Sequence, residues 1–353
     1  MERKEEMSNR QKMKAIGAYR YLPLSDPESL VDLHIEKPVP TGRDLLVKVK
    51  AVSVNPADLD IRKNNNYEAE SPKVLGWDVS GIVEQVGPEC QLFKPGDEVF
   101  YAGSVTRPGG NSEFHLVDER IAGTKPKSLD FAQAAALPLT SLTAWEGLFD
   151  RLGISHSAEE SESILIIGAA GGVGSIATQL AKLAGLTVIG TASRPESVQW
   201  VKDHGADYTI SHNSPFAPQL KEIGFESVDY IFCLNDTVQH FANMAEAIAP
   251  QGKICSIVPV AKASQAGSLD MDMIFYKSVT FVWELMFTRA MFQTKDIIKQ
   301  HHILNQLAEL IDKGKLKTTL AERLEPINAA NLRLAHEKME TGRAIGKIVL
   351  ENF

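Results

Sequence analysis

The stretch SILIIGAAGGVGSIATQLAKLAG, residues 163–185, decides the architecture of this chain. It opens on a short run of apolar residues bounded by a turn, as a buried strand does. Glycines and alanines fill 168–174, and the remainder spaces its apolar side chains as a helix does. Strand, glycine turn and helix in that order begin a βαβ unit. Within the turn, Ala169-Ala170-Gly171-Gly172-Val173-Gly174 reads A-x-G-x-x-G, one residue away from the dinucleotide fingerprint G-x-G-x-x-G. Gly171 lets the backbone approach a pyrophosphate, and Gly174 lets the helix pack closely on the sheet. Free N–H groups at the helix start then hold the phosphates. A lone glycine motif could be only a tight turn, so the strand before it and the helix after it carry the reading.

Toward higher numbers the alternation continues. LTVIGTAS (186–193), a helix from Pro195 to His204, DYTIS (207–211), VDYIFCL (228–234) and GKICSIV (252–258) follow, and VTFVWEL (279–285) reads as the last strand. Strands alternating with helices imply a parallel, doubly wound sheet. A second strand that binds a free ribose 2′-OH ends in Asp or Glu. Here Ala192 holds that slot, followed by Ser193 and Arg194. A hydroxyl and a guanidinium suit a 2′-phosphate, so NADPH is expected over NADH; the alternative is a solvated loop arginine.

Toward lower numbers the style changes. From Met13 to about Thr124, short strands such as LLVKVKAVSVN (45–55), SGIVEQVG (80–87) and DEVFYAG (97–103) are separated by Pro and Gly. KPGD (94–97) is a turn in which Pro presets φ and Gly accepts a positive one. This half predicts a small antiparallel barrel. Residues 125–153 have helical spacing broken at Pro138. A helix over about Lys295 to Lys313 and the strand AIGKIVLE (344–351) lack a parallel partner and are expected to return to the barrel.

A chain of 353 residues suggests two domains. The expected division is a disordered extension over 1–12, a barrel domain over 13–140 and 285–353, and a nucleotide-binding domain over 141–284. A net charge of −8 argues against nucleic acid as the partner. No apolar run approaches the roughly 20 residues that span a bilayer, and the polar start MERKEEMSNRQK is no secretory signal. Cys90, Cys233 and Cys255 are odd in number and far apart, which points to a reducing cytoplasm and to no disulfide framework. No Cys/His cluster has metal-ligand spacing.

GWDVSGIVEQVG (76–87), FKPGDEV (93–99) and AAGGVG (169–174), in that order, resemble the medium-chain dehydrogenase/reductase superfamily. The resemblance extends from Met13 to Glu351 and is nearest to the quinone oxidoreductase branch, among zinc-type alcohol dehydrogenase-like proteins. It implies an α/β fold: a GroES-like β-barrel catalytic domain plus a Rossmann domain. The catalytic zinc ligands of zinc-dependent relatives align with Asn55, Trp77 and Leu139, and their proton-relay hydroxyl with Ala57. None of the first three is a plausible zinc ligand, and the lobe with four closely spaced cysteines is missing. Trp77 is expected to fill the space apolarly, and Asp78 to orient neighbours or cap the turn.

The resemblance also places Asn55 and Tyr67, at the ends of VNPADLDIRKNNNY (54–67), beside the nicotinamide, together with Thr143. It sends Lys347 to the cofactor phosphates. The alternatives are a turn-capping Asn55, a helix-interior hydroxyl at Thr143 and a solvated lysine; Asp58 reads as structural. FVWELMFTRAMFQ (281–293) could roof a substrate pocket, form the edge of a homodimer, or do both. The expected activity is an NADPH-dependent, zinc-independent reduction of quinones or α,β-unsaturated carbonyls. Hydride would pass directly to carbon while Asn55 and Tyr67 polarise the substrate oxygen. The competing readings are a zinc-dependent alcohol dehydrogenase and a non-catalytic NADPH-binding redox sensor or structural protein.

Overall fold

The computed structural model describes residues 11–63, 71–156, 162–260 and 269–353. The extension expected over 1–12 lies outside these up to residue 10, and Lys12 already opens the first strand. The chain divides into two compact units. One comprises Met1–Leu139, Phe287–Gly314 and Thr318–Phe353; the other comprises Thr140–Met286 and Lys315–Lys317.

The first unit begins with β1 (Lys12–Ala18), β2 (Val31–Glu36) and β3 (Asp44–Ser53). Next come α1 (Pro56–Lys63), β4 (Lys73–Val74), β5 (Val79–Val86), β6 (Glu98–Tyr101), β7 (Phe114–Asp118) and β8 (Ala122–Thr124). β3 pairs antiparallel with both β5 and β7, so it is the spine of this half. Leu45, Leu46, Val47, Ala51 and Val52 are all buried, so β3 is covered on both faces, which explains its long apolar run. The helical stretch splits where expected: α2 (Phe131–Ala135) ends before Pro138, which occupies the first position of α3 (Pro138–Trp145). Asp130 and Gln133 close a reciprocal cap at the start of α2. A π-helical turn over Glu146–Arg151, which the spacing did not foretell, follows α3.

The second unit carries β9 (Ser163–Ile167), α4 (Gly172–Leu183), β10 (Thr187–Thr191), α5 (Pro195–Asp203), β11 (Tyr208–Ile210) and α6 (Phe216–Glu222). It continues with β12 (Val228–Cys233), α7 (Thr237–Ala247), β13 (Ile248–Ser256) and β14 (Thr280–Trp283). The six strands are parallel in the order β11-β10-β9-β12-β13-β14. The order reverses at β9, and ligands bind such sheets beyond the strand ends at that switch. Leu165, Ile167, Ile189, Ile231, Phe241 and Ile254 form part of the core.

The chain then runs through α8 (Lys299–Asp312), β15 (Leu320–Leu324), α9 (Ala329–Glu340) and β16 (Lys347–Glu351). β16 pairs antiparallel with β3, so the closing strand returns to the first unit's sheet. It also pairs parallel with β15. The strands of 13–124 pair antiparallel, as expected. The parallel pair belongs to the returning segment: α9 lies between β15 and β16, and a parallel pair needs such a crossover. The fold is α/β, a GroES-like barrel unit with a doubly wound parallel-sheet unit. Among the described residues no helix is long and apolar enough to cross a membrane.

Candidate active site and nucleotide-binding turn

In the second unit β9 delivers the chain to Gly168, whose φ of +85° is open to glycine and strained for other residues. Its N–H donates to Thr191 Oγ1 at 2.9 Å, tying the ends of β9 and β10 together. Gly171 N donates to Gly168 O at 3.1 Å, and Gly171 caps α4. A Cβ on Gly174 would fall 2.4 Å from Gly168 O and 2.6 Å from Ala169 Cα, so only glycine permits this approach of helix to strand. A Cβ on Gly171 would meet only Gly168 O, at 3.5 Å. Gly172, Val173 and Gly174 form the first turn of α4, where N–H groups have no intrahelical acceptor. A tight cradle with open N–H donors fits a dinucleotide pyrophosphate. At the end of β10, Ala192 is buried, Ser193 is exposed and Arg194 is half-buried. Ser193 Oγ lies 3.3 Å from His212 Nε2, a neighbour the sequence reading missed.

In the first unit a buried polar centre forms where β3, the turn before β5, the end of α2–α3 and β16 meet. Asn55 follows β3, and its backbone N–H donates to Asp58 Oδ2 at 2.7 Å. Asp58 Oδ1 accepts from Gly76 N at 3.0 Å, which binds the first turn of α1 to the GWD turn. The Asn55 amide donates to Trp77 O at 3.0 Å and Asp78 Oδ2 at 2.9 Å. Asp78 Oδ1 accepts from Leu139 N at 2.8 Å. Lys347 Nζ donates to Val54 O at 2.7 Å and to Asn55 Oδ1, and it stands 3.1 Å from Asp78 Oδ2. Trp77 is fully buried; its indole N–H donates to Ser104 O at 2.9 Å and its ring meets Phe287 edge-on.

Burial raises the Asp58 carboxyl to about 7, against two accepted backbone hydrogen bonds and the attraction of Lys347. Burial likewise pushes Asp78 up and Lys347 down from their ordinary values, and the attraction between the two opposes both shifts. For Asp58 the folded value lies far above the roughly 3.9 of an unfolded chain. Its contribution to stability is therefore present in full below about pH 4 and is lost as pH rises through about 7. The unfolding free-energy difference between wild type and Asp58→Asn should fall across that window, by at most about 1.4 kcal/mol per pH unit. Chemical denaturation at a series of pH values measures it, and a flat difference would show a carboxylate ionised throughout.

Asn55, Trp77 and Leu139, expected from three separate motifs, are thus neighbours around Asp78. They do not fit Zn²⁺: an indole and an aliphatic side chain offer no donor, and the Asn55 amide is engaged with Trp77, Asp78 and Lys347. Among the described residues no group of three or more His, Cys, Asp or Glu is placed to hold a metal.

Two expectations need correction. Lys347 was expected at the cofactor phosphates, but its ammonium is buried and its partners are Val54, Asn55 and Asp78. Asn55 was expected to donate to a substrate oxygen, yet its donors already serve Trp77 and Asp78. The reason is common to both: an ammonium, a carboxylate and an amide taken from water must satisfy one another. Tyr67 lies outside the described residues. Thr143 is buried on α3. Trp283, Leu285 and Phe292 are exposed whereas Met286 and Phe287 are buried, so the bulky segment 281–293 does not present one face.

Comparison with known proteins agrees with this architecture. The family profile described as alcohol dehydrogenase GroES-like domain matches residues 41–136, and that described as zinc-binding dehydrogenase matches 204–350. A zinc-type alcohol dehydrogenase-like protein of Staphylococcus epidermidis is 40% identical over 340 residues, covering 96% of this chain and 99% of that protein. A Rhizobium etli protein, named for the zinc-dependent alcohol dehydrogenases, is 50% identical with a TM-score of 0.91 and covers 97% of this chain and 99% of its own. The Escherichia coli quinone oxidoreductase solved with NADPH is 25% identical with a TM-score of 0.79, covering 96% and 99%. The chain belongs to the medium-chain dehydrogenase/reductase superfamily of oxidoreductases, in its quinone oxidoreductase branch, among the zinc-type alcohol dehydrogenase-like proteins.

Proposed function

We propose that the protein is an NADPH-dependent, zinc-independent reductase of quinones or α,β-unsaturated carbonyls. The observation that carries this reading is the internally neutralised centre of Asn55, Asp78 and Lys347, around which Asn55, Trp77 and Leu139 stand at the positions where a metal enzyme needs ligands. The first-turn N–H groups of α4 would hold the pyrophosphate, and Ser193 with Arg194 the 2′-phosphate. Bound there, the cofactor supplies a hydride for an electrophilic carbon. The chain must then orient the acceptor and stabilise negative charge on its oxygen, a task for preorganised neutral donors. Tyr67 and Thr143 are the proposed donors, while Asn55 is a positioning residue that fixes the GWD turn to β3. β14 is the edge of its sheet and exposes Trp283, which suits pairing with a second copy as a homodimer. Three free thiols among the described residues suit a cytoplasmic setting.

The deciding experiment follows NADPH oxidation with a panel of quinones, enones and alkenals in the presence of chelator, alongside elemental analysis. The expected result is turnover without stoichiometric zinc. NADPH should bind at least about tenfold tighter than NADH, the equivalent of one charge-assisted contact. Arg194→Glu should remove that margin. Zinc lost together with activity would establish a metal enzyme, and binding without turnover of any acceptor would establish a sensor or structural role.

A further inference from the structure

We infer that His212 is a third member of the site for the cofactor's 2′-phosphate and makes the preference for NADPH depend on pH. This rests on the NADPH reading above and deepens it. β10 and β11 run parallel with Thr191 opposite Ile210, and both strands end at that level. Residues two further along each chain therefore fall side by side. They are Ser193 and His212, with Oγ and Nε2 3.3 Å apart. Arg194 is the next residue, and its charge acts on the imidazole; burial first, and then Arg194, hold His212 below the usual histidine range.

Glu196 stands 3.5 Å from Arg194 and is itself well exposed. On α7, His240 feels the charge of His212 and of Asp236. Among the described residues no carboxylate acts on the His212 imidazole. The rim thus gathers a hydroxyl, a guanidinium and an imidazole, with the exposed Glu196 beside the guanidinium. A phosphate dianion would accept from Ser193, Arg194 and a protonated His212, and its charge reverses the field that now disfavours the imidazolium. Binding then draws one proton from solvent onto the imidazole. A cofactor with a plain 2′-OH has no charge to draw it.

Titration calorimetry of NADPH and NADH, at pH values from about 6 to about 8.5 and in two buffers of different ionisation enthalpy, tests this. For wild type the affinity ratio of NADPH over NADH should fall at least about fivefold over that range, within the limit of about tenfold per pH unit for one linked proton. NADPH binding should take up a fraction of a proton near neutrality, and NADH binding none. The phosphate's own protonation, near about pH 6, weakens binding at acid pH and so cannot mimic this trend. His212→Gln should flatten the ratio at its low, alkaline value, and His212→Lys should flatten it at a high value. A preference for NADPH that is flat with pH in wild type, or unaltered in His212→Gln, overturns the role of His212 and leaves the NADPH reading standing. Equal binding of both cofactors at every pH overturns both.

Discussion

Lys347→Met is expected to lower the unfolding free energy by about 3–5 kcal/mol, because it strands a buried carboxylate without its cation. Asp78 then keeps one backbone donor from Leu139 and the Asn55 amide, but nothing neutralises its charge. Asn55 and Val54 also lose the donor that satisfies their oxygens. The comparison that isolates the pair is the double variant Lys347→Met with Asp78→Asn. It removes both charges, and breaking a pair costs far more than replacing it whole. It should recover at least about half of the loss, since coupling energies between contacting groups reach about 3 kcal/mol. Urea unfolding at neutral pH measures all four corners of this cycle. A loss below about 1 kcal/mol in the single variant, the size of an exposed pair, would mean that water reaches the ammonium.

Gly174→Ala carries the second large effect. The added methyl would press into Gly168 O at 2.4 Å and Ala169 Cα at 2.6 Å, both backbone atoms that no rotamer can move aside. The start of α4 must shift outward, at a cost of about 1–3 kcal/mol for overpacking. The shift also displaces the N–H groups proposed to hold the pyrophosphate. NADPH affinity should fall by about tenfold or more, the worth of one charge-assisted hydrogen bond. Gly171→Ala is the matched control: its φ of −76° suits alanine and its Cβ has room, with Gly168 O at 3.5 Å. Stability should hold there while affinity drops, because the methyl stands where the phosphates approach. Thermal melts and cofactor titration of both variants separate the two roles. Loss of stability in both, or of affinity in neither, would remove the turn from cofactor binding.

Much of this was legible in residue order. The strand, turn and helix at 163–185 could be read because each has a short local signature, and the parallel sheet followed from its repetition. VTFVWEL was read as the last strand, and β14 indeed ends the sheet order. The absence of zinc-ligand chemistry at Asn55, Trp77 and Leu139 was likewise visible from side-chain type alone. What could not be read was partnership. Lys347 meets Asn55 across 292 residues, and only the antiparallel register of β16 on β3 brings them together. A lysine beside a glycine carries no local mark of burial. The parallel pairing of β15 with β16 was hidden for the same reason, since nothing local names a strand's neighbour. His212 was missed too, although a signal existed: once β10 and β11 are taken as parallel neighbours, counting equally past their ends pairs it with Ser193.

The closure of β3 by β16 also fixes an order of events during synthesis. The second unit is nearly continuous in sequence, Thr140–Met286, so it has almost all its residues in hand once that span has left the ribosome. The first unit does not. Until Lys347 emerges, Asp78 lacks the ammonium it pairs with and β3 lacks its β16 neighbour. A nascent chain halted before that point presents an unpaired strand edge, the kind of surface that recruits other chains. The same chain would already hold a complete glycine turn. Nucleotide-binding competence would thus precede assembly of the polar centre, and a truncated product would be able to sequester cofactor without reducing anything.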